Sequence, residues 1–391
     1  MARLSISVEG WLGINHSYAL VNQHQLLELK SFDIDLYHKN VPFHSTNWNA
    51  EKNYSGFTSD QHQALVDISN LDDEMTPDVI YRISSPYNYA NAKAKKIFVF
   101  GPPEHHFLTG LFTGANITDV ITNEKFEFIA PSKWASQAFL KAGFPTDRVH
   151  IVSHGVDPQL FRVSEENRRS KYRSELGLND DDFVLLSVSS LSWNKGQDIL
   201  IRAFAKLRLK YKNLKLVIKD QHNLYGMNVI QFIEMYEKSP FPFNLTEEIL
   251  NSIIFISANL SFDQLQGFYS ASDCYVSPYR GEGFNLPALE AAACGVPVIV
   301  TRGGSTDDFF ADLMGAQVES STMSVDGVVY LEPNIDDLMM QIEKIFLQSR
   351  PSISKKNELS AKIREKYSWK KVTESLFKVC LLYTSPSPRD S

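Results

Sequence analysis

Glu282 and Glu290 stand with seven residues between them in GEGFNLPALEAAACGVPVIV, residues 281–300. The preceding ASDCYVSPY is short, partly β-branched and aromatic, and closed by Pro278, which predicts a buried strand. RGEGFN is then a loop. Asn285 is a good N-cap type and Pro287 suits a first helical turn, so a helix is expected to start near Leu286 and to end at Gly295. VPVIVT is a second apolar run, and strand, helix and strand within about thirty residues predict a right-handed parallel crossover. Glu282 would then lie in the loop at a strand's carboxyl end and Glu290 about one turn inside the helix. Ligands of open α/β sheets collect at that edge, where free helix N–H groups attract phosphate. Two acids are poor phosphate ligands but good acceptors for sugar hydroxyls on either side of a phosphate.

The elements that hold such a site need a large chain. At 391 residues and 43% hydrophobic, this one suits two domains. Its net charge of −7 argues against a nucleic-acid partner by bulk electrostatics. Cys274, Cys294 and Cys380 have no paired spacing, so neither a disulfide framework nor a zinc site is indicated and a reducing compartment is expected. The start MARLSISVEGWLG has no long apolar segment, and no run approaches eighteen apolar residues, which predicts a cytoplasmic protein at most peripheral to a membrane. The end CLLYTSPSPRDS, residues 380–391, reads as the in-frame translation of a transposase-based sequencing adapter and is set aside from fold reasoning, with the natural frame expected to be cut near Val379 and the true C-terminus to be missing.

Along the first half, LSISV predicts a strand, YALVNQHQLLELK a helix, and Gly10 and Gly13 a turn that lets backbone approach a ligand. The full G-x-G-x-x-G is missing, so a nicotinamide dinucleotide is not indicated. Asp33 and Asp35 match a metal-binding D-x-D, but alternation along a second strand accounts for them and no metal is assigned. Residues 40–75 read as polar and turn-rich. DVIYRIS, KKIFVFG and FEFIAPS predict buried strands, with a helix in KWASQAFLKAGF. The boundary falls near Val156. Thereafter FVLLSVSSL, LKLVIK, SIIFIS, DCYVSP, VPVIVT and GVVYL repeat the pattern, which predicts an α/β protein of two doubly wound Rossmann-like domains facing a central cleft.

EGFNLPALE fits the E-x7-E motif of the retaining glycosyltransferases of family four, which have the GT-B architecture. APSKWASQAFLKAGFPTDRVHIVSHGVD, VSSLSWNKGQDILIRAF, YSASDCYVSPYRGEGFNLPALEAAACGVPVIVTRGG and YSWKKVTESL resemble that family in order, covering residues 125–378 well and the first 120 in outline. The resemblance implies an acceptor-side domain over 1–155, a nucleotide-sugar domain over 156–365 and a helix over 366–379 crossing back to the first domain. It implies that Glu282 accepts from donor-hexose hydroxyls and Glu290 from the ribose. Backbone N–H groups at Phe284, Asn285 and Leu286 would meet the donor, and Lys195 the diphosphate. Glu104, His105 and His106 fall where relatives carry a cleft histidine touching the donor sugar; His16 and His154 are secondary candidates.

Three positions depart from the family pattern. Ser190 replaces a usual arginine, with Arg280 the candidate substitute. Asn285 replaces a glycine, placing a side chain near the donor where it would alter sugar choice. The acid expected after the Gly-Gly turn is Asp307 or Asp308. The implied reaction moves a hexose from a UDP- or GDP-linked sugar, a co-substrate rather than a cofactor, to a glycan, lipid or small acceptor without a metal. The mechanism implied is a front-face displacement in which position and charge stabilisation do the work. Two alternatives share the architecture. A sugar-nucleotide 2-epimerase would act on the donor with no acceptor, and a non-catalytic binding protein would hold the donor without turnover. The basic KLRLKYKNLK, Lys206 to Lys215, is expected to be the solvated face of a helix and its exit loop, with contact to an anionic membrane surface as the alternative.

Overall fold

A computed structural model of the protein describes residues 3–50, 56–106, 108 and 110–384. They form two compact units, one reaching Gly155 and including the helix Trp369–Thr384, the other Val156–Ser368.

The first unit is built on six parallel strands, β1 (Leu4–Gly10), β2 (Ile34–Asn40), β3 (Val79–Ile83), β4 (Lys96–Phe100), β5 (Phe126–Ala130) and β6 (Val149–Ile151). Their order is β2-β1-β3-β4-β5-β6. All of β3 and β5 is buried, as befits strands covered on both faces. Helix Ser17–Leu29 packs against the final helix, where Phe32 meets Phe377 at 5.0 Å and His24 stacks on Trp369 at 4.6 Å. That final helix continues past Val379 to Thr384 and buries Cys380; residues 385–391 of the adapter-like end lie outside the described residues.

The second unit has β7 (Phe183–Val188), β8 (Leu214–Lys219), β9 (Ile253–Ile256), β10 (Cys274–Ser277), β11 (Val298–Thr301) and β12 (Gly315–Val318) in the parallel order β9-β8-β7-β10-β11-β12. In terms of each strand's rank within the unit this is 3-2-1-4-5-6, the doubly wound dinucleotide-fold order. One sheet face, with Leu185, Leu216, Ile218, Cys274 and Val276, packs on helix Gln197–Lys210 through Ile199, Ala203 and Phe204.

Two sequence expectations change. GVVYL does not join the sheet: β14 (Val328–Pro333) pairs antiparallel with β13 (Ser320–Val325) across Asp326 and Gly327, both at positive φ. The Asp-Gly pair is the hairpin signal that outranks the apolar run. The sheet's edge is instead β12, a four-residue GAQV with too little apolar pattern to stand out. Within residues 40–75, helix Ser59–Val66 is closed by a Thr58–Gln61 capping box, with bonds of 3.2 and 3.0 Å. The Lys206–Lys215 cations sit on helix Gln197–Lys210 and its exit, where Lys210 pairs with Glu343, and Lys212 with Glu248 at 2.9 Å. Among the described residues no helix is long and apolar enough to cross a membrane.

Candidate functional site

The strand order of the second unit reverses between β7 and β10, and the loops leaving their carboxyl ends form the crevice where such sheets bind ligands. Lys195 lies on the first loop and Glu282 on the second. Backbone bolts the loops together, since the Asn194 carbonyl accepts from Arg280 N at 2.7 Å and Gly281 N at 3.2 Å, and Asn194 Nδ2 donates to Gly281 O. Gly196 has φ 69°, and a Cβ there would fall 1.9 Å from the Pro278 carbonyl oxygen, so only glycine lets the loops approach this closely. The result is an ion pair, Lys195 Nζ to Glu282 Oε2 at 2.5 Å, with side chains 16% and 19% exposed. A cation and an acid thus share one partly screened position at the crevice.

Helix Leu286–Ala293 begins beside them as expected, with Asn285 as N-cap and Gly295 just past its end at φ 73°. Asn285 is left-handed, φ 74°, which asparagine tolerates better than most residues. Its side chain is not turned to a ligand: Nδ2 donates to Ser277 Oγ at 3.0 Å and Oδ1 accepts from Ala288 N at 3.3 Å, with the residue 3% exposed. The expected effect of Asn285 on sugar choice therefore gives way to a packing role. Phe284 buries its ring against Phe309 at 4.9 Å, which anchors the loop whose backbone leads into Leu286.

Glu290 lies one turn in, 8% exposed, and Tyr269 Oη donates to its Oε2 at 2.8 Å. Burial pushes its carboxyl up to about 7, against the smaller opposing effect of the Tyr269 bond. A carboxyl so placed holds one good donor and has capacity for more.

Arg280 is not a free cation. All five of its N–H groups are engaged: two with the Asp198 carboxylate at 2.7 and 2.9 Å, two with Glu332 at 2.8 and 3.2 Å, and one with the Trp193 carbonyl at 2.9 Å. It ties the Lys195 loop to the β13–β14 hairpin and does not stand in for the arginine missing at Ser190, whose hydroxyl pairs with Ser192 at 2.8 Å. Asp307 accepts from Gly303 N at 3.0 Å and Gln317 Nε2 at 2.6 Å, pinning the Gly-Gly turn. Sequence reasoning missed Tyr269 and Asp198, whose partners lie 21 and 82 residues away.

In the first unit, Gly10 closes on helix Ser17–Leu29: a Cβ would meet Asn22 at 2.7 Å and Ile83 at 2.8 Å. Gly13, φ 83°, donates its N–H to Gln23 Oε1 at 2.9 Å, so this amide is held within the unit. His105 and His106 follow β4 at its carboxyl end. The His106 ring lies on Trp134 at 4.0 Å with Nδ1 3.0 Å from Lys141 Nζ, and burial with that cation holds it down at about 4, neutral at pH 7. His16 caps its helix by accepting from Tyr18 N at 3.3 Å. His154 is buried, which lowers it to about 3. Asp33 and Asp35 lie at the amino end of β2, away from the ligand edge, and Asp33 pairs with Arg3.

The family described as Glycosyl transferases group 1 matches residues 168–366, which include Lys195, Glu282 and Glu290. The chain belongs to this family. Among curated relatives, it is 32% identical over 192 residues to D-inositol 3-phosphate glycosyltransferase 1 of Catenulispora acidiphila, covering 47% of this chain and 43% of the relative. It is 27% identical over 249 residues to the lipopolysaccharide 1,2-N-acetylglucosaminetransferase of Salmonella typhimurium, covering 63% and 60%. The chain thus spans about half the length of the curated relatives it matches. Its fold is like that of a Rickettsia africae glycosyltransferase, with TM-score 0.72, 13% identity, and coverage of 99% of this chain and 100% of that one. Anabaena HepE in complex with UDP-glucose superposes with TM-score 0.65 and 16% identity over 96% and 98% of the two chains. WaaG, a glycosyltransferase involved in lipopolysaccharide biosynthesis, gives 0.61 and 15% over 97% and 100%. The fold is GT-B.

Proposed function

We propose that the protein transfers a hexose from a UDP- or GDP-linked sugar to a carbohydrate or lipid-linked acceptor, with retention at the anomeric carbon. The carrying observation is the 2.5 Å Lys195–Glu282 pair at the β7/β10 crevice, beside the start of the helix that bears Glu290. Lys195 and the helix N–H groups meet the diphosphate, so the leaving charge is balanced by a cation and dipoles, without a resident cofactor or metal. Glu282 accepts from hexose hydroxyls and Glu290 from the ribose. The bond from the anomeric carbon to the phosphate oxygen breaks as the acceptor oxygen bonds on the same face, and the acceptor's proton passes to the leaving phosphate. Protein groups position and stabilise charge; none becomes covalently bound. Relatives described as acting on inositol phosphate and lipopolysaccharide support an acceptor that is a polyol, a glycan or a lipid-linked glycan.

The test is proton NMR of the protein with each nucleotide sugar and a panel of glycan and polyol acceptors. Product with the donor's anomeric configuration supports the proposal. Inverted product refutes retention, and epimerised donor with no acceptor consumed would replace transfer with isomerisation.

A further inference from the structure

Lys219 is the last residue of β8, at the carboxyl edge of the second sheet, and only 4% exposed. Buried lysines are ordinarily paired with acids. This one has no carboxylate within ion-pair distance among the described residues: its Nζ donates to the backbone carbonyl of Asp220, while the Asp220 carboxylate accepts from His222 N at 2.9 Å and Ser257 Oγ at 2.7 Å. Burial pushes the ammonium down to about 8, against a smaller raising effect of the nearby Asp220 charge, which does not form an ion pair with it.

Register shows which way it faces. Lys219 pairs with Val188 of β7, and Ser189 N donates to the Lys219 carbonyl at 3.1 Å, so it lies beside the Ser189–Lys195 loop. Alternation puts Ile218 and Leu216 on the face packed against helix Gln197–Lys210, and hence Lys219 on the other. Cys274 opposite Leu185 and Tyr275 opposite Leu186 carry the same row to Ser277. Ser277 is the residue whose hydroxyl accepts from Asn285, the cap of the helix bearing Glu290. Lys219, Val188 and Ser277 therefore form one row, two strand spacings or about 10 Å long, along the side of the sheet where that helix starts.

We propose that Lys219 is a second cation of the donor site, its missing partner being a phosphate of the bound nucleoside diphosphate. This rests on the donor-site proposal above and adds a residue to it: Lys219, beside the loop that carries Lys195, contributes a second positive charge, which Ser190 and Arg280 cannot. Lys195 already shares its charge with Glu282.

The experiment is calorimetric titration of UDP and GDP, and of uridine and guanosine, into wild type, Lys219→Met and Lys219→Gln. The Met variant removes an unpaired buried charge and the Gln variant keeps a donor for the Asp220 carbonyl, so at least one is expected to melt no lower than wild type. Loss of a charge-assisted contact predicts about a tenfold or greater drop in nucleoside diphosphate affinity with nucleoside affinity unchanged. Unchanged diphosphate binding in either folded variant overturns the assignment of Lys219. An equal loss for diphosphate and nucleoside also overturns it, by making the role structural. Wild type that binds no diphosphate overturns instead the donor-site proposal beneath it.

Discussion

Replacing Glu290 by Gln should stabilise the protein while weakening donor binding, and the gain should depend on pH. The folded carboxyl is raised from its ordinary 4.5 to about 7 by burial, so the folded state holds this proton more tightly than the unfolded chain. Stability from this group is therefore greatest below about 4.5, falls as the pH rises towards 7, and then levels off. The penalty is about 3 kcal/mol at pH 8 and about 1 kcal/mol at pH 5. The amide introduced by Glu290→Gln keeps an acceptor for Tyr269 Oη and carries no charge, so the variant's advantage over wild type should grow by about 2 kcal/mol between pH 5 and pH 8. Urea unfolding of both proteins at the two pH values, followed by circular dichroism on the transition that the substitution shifts, measures this double difference. An advantage that is constant with pH, or that shrinks as the pH rises, would refute a buried, ionising Glu290. Donor affinity should move oppositely, because the carboxylate is the better acceptor for ribose hydroxyls: in wild type it strengthens from pH 6 to pH 8, and in the Glu290→Gln variant it is weaker and flat.

Lys195→Ala should lower kcat about a hundredfold, or about 3 kcal/mol of transition-state stabilisation, and a steady-state assay with saturating donor checks it. Arg280→Met leaves the buried Asp198 carboxylate with Arg202 at 2.8 Å as its remaining ion-pair partner and should cost about 2–3 kcal/mol in chemical denaturation, a loss of structure that precedes any effect on donor. The double change Asp33→Asn, Asp35→Asn, at 81% and 47% exposed side chains, should leave thermal stability and turnover near wild type. A collapse of activity there would return the D-x-D to the site.

Much of the second unit was legible because parallel strands covered on both faces leave continuous apolar runs, as in LVI of β8 and VIV of β11. The helix bearing Glu290 announced its own ends through Asn285, Pro287 and Gly295. The edge strand Gly315–Val318 was hidden because it is short and half-covered, and Val328–Pro333 misled because an apolar run does not say which strand it joins. Lys195 and Glu282 were readable as types, but their contact depends on Gly196 meeting the Pro278 carbonyl, a closeness only the fold creates. Arg280 and Asn285 were misjudged for a shared reason: a polar side chain in a loop looks available until its partners are known. Here Asp198 and Glu332 take one and Ser277 and Ala288 the other. The first unit's Gly13 follows the same rule, its amide already held by Gln23.

The most direct test of the donor site is saturation-transfer NMR with UDP- and GDP-linked hexoses, together with nucleotide release, on wild type and Glu290→Ala. Selective binding and slow release of one nucleotide, both weakened by the substitution, are predicted. Binding to none of them, or binding and release that Glu290→Ala leaves unchanged, would contradict a nucleotide-sugar site at the β7/β10 crevice.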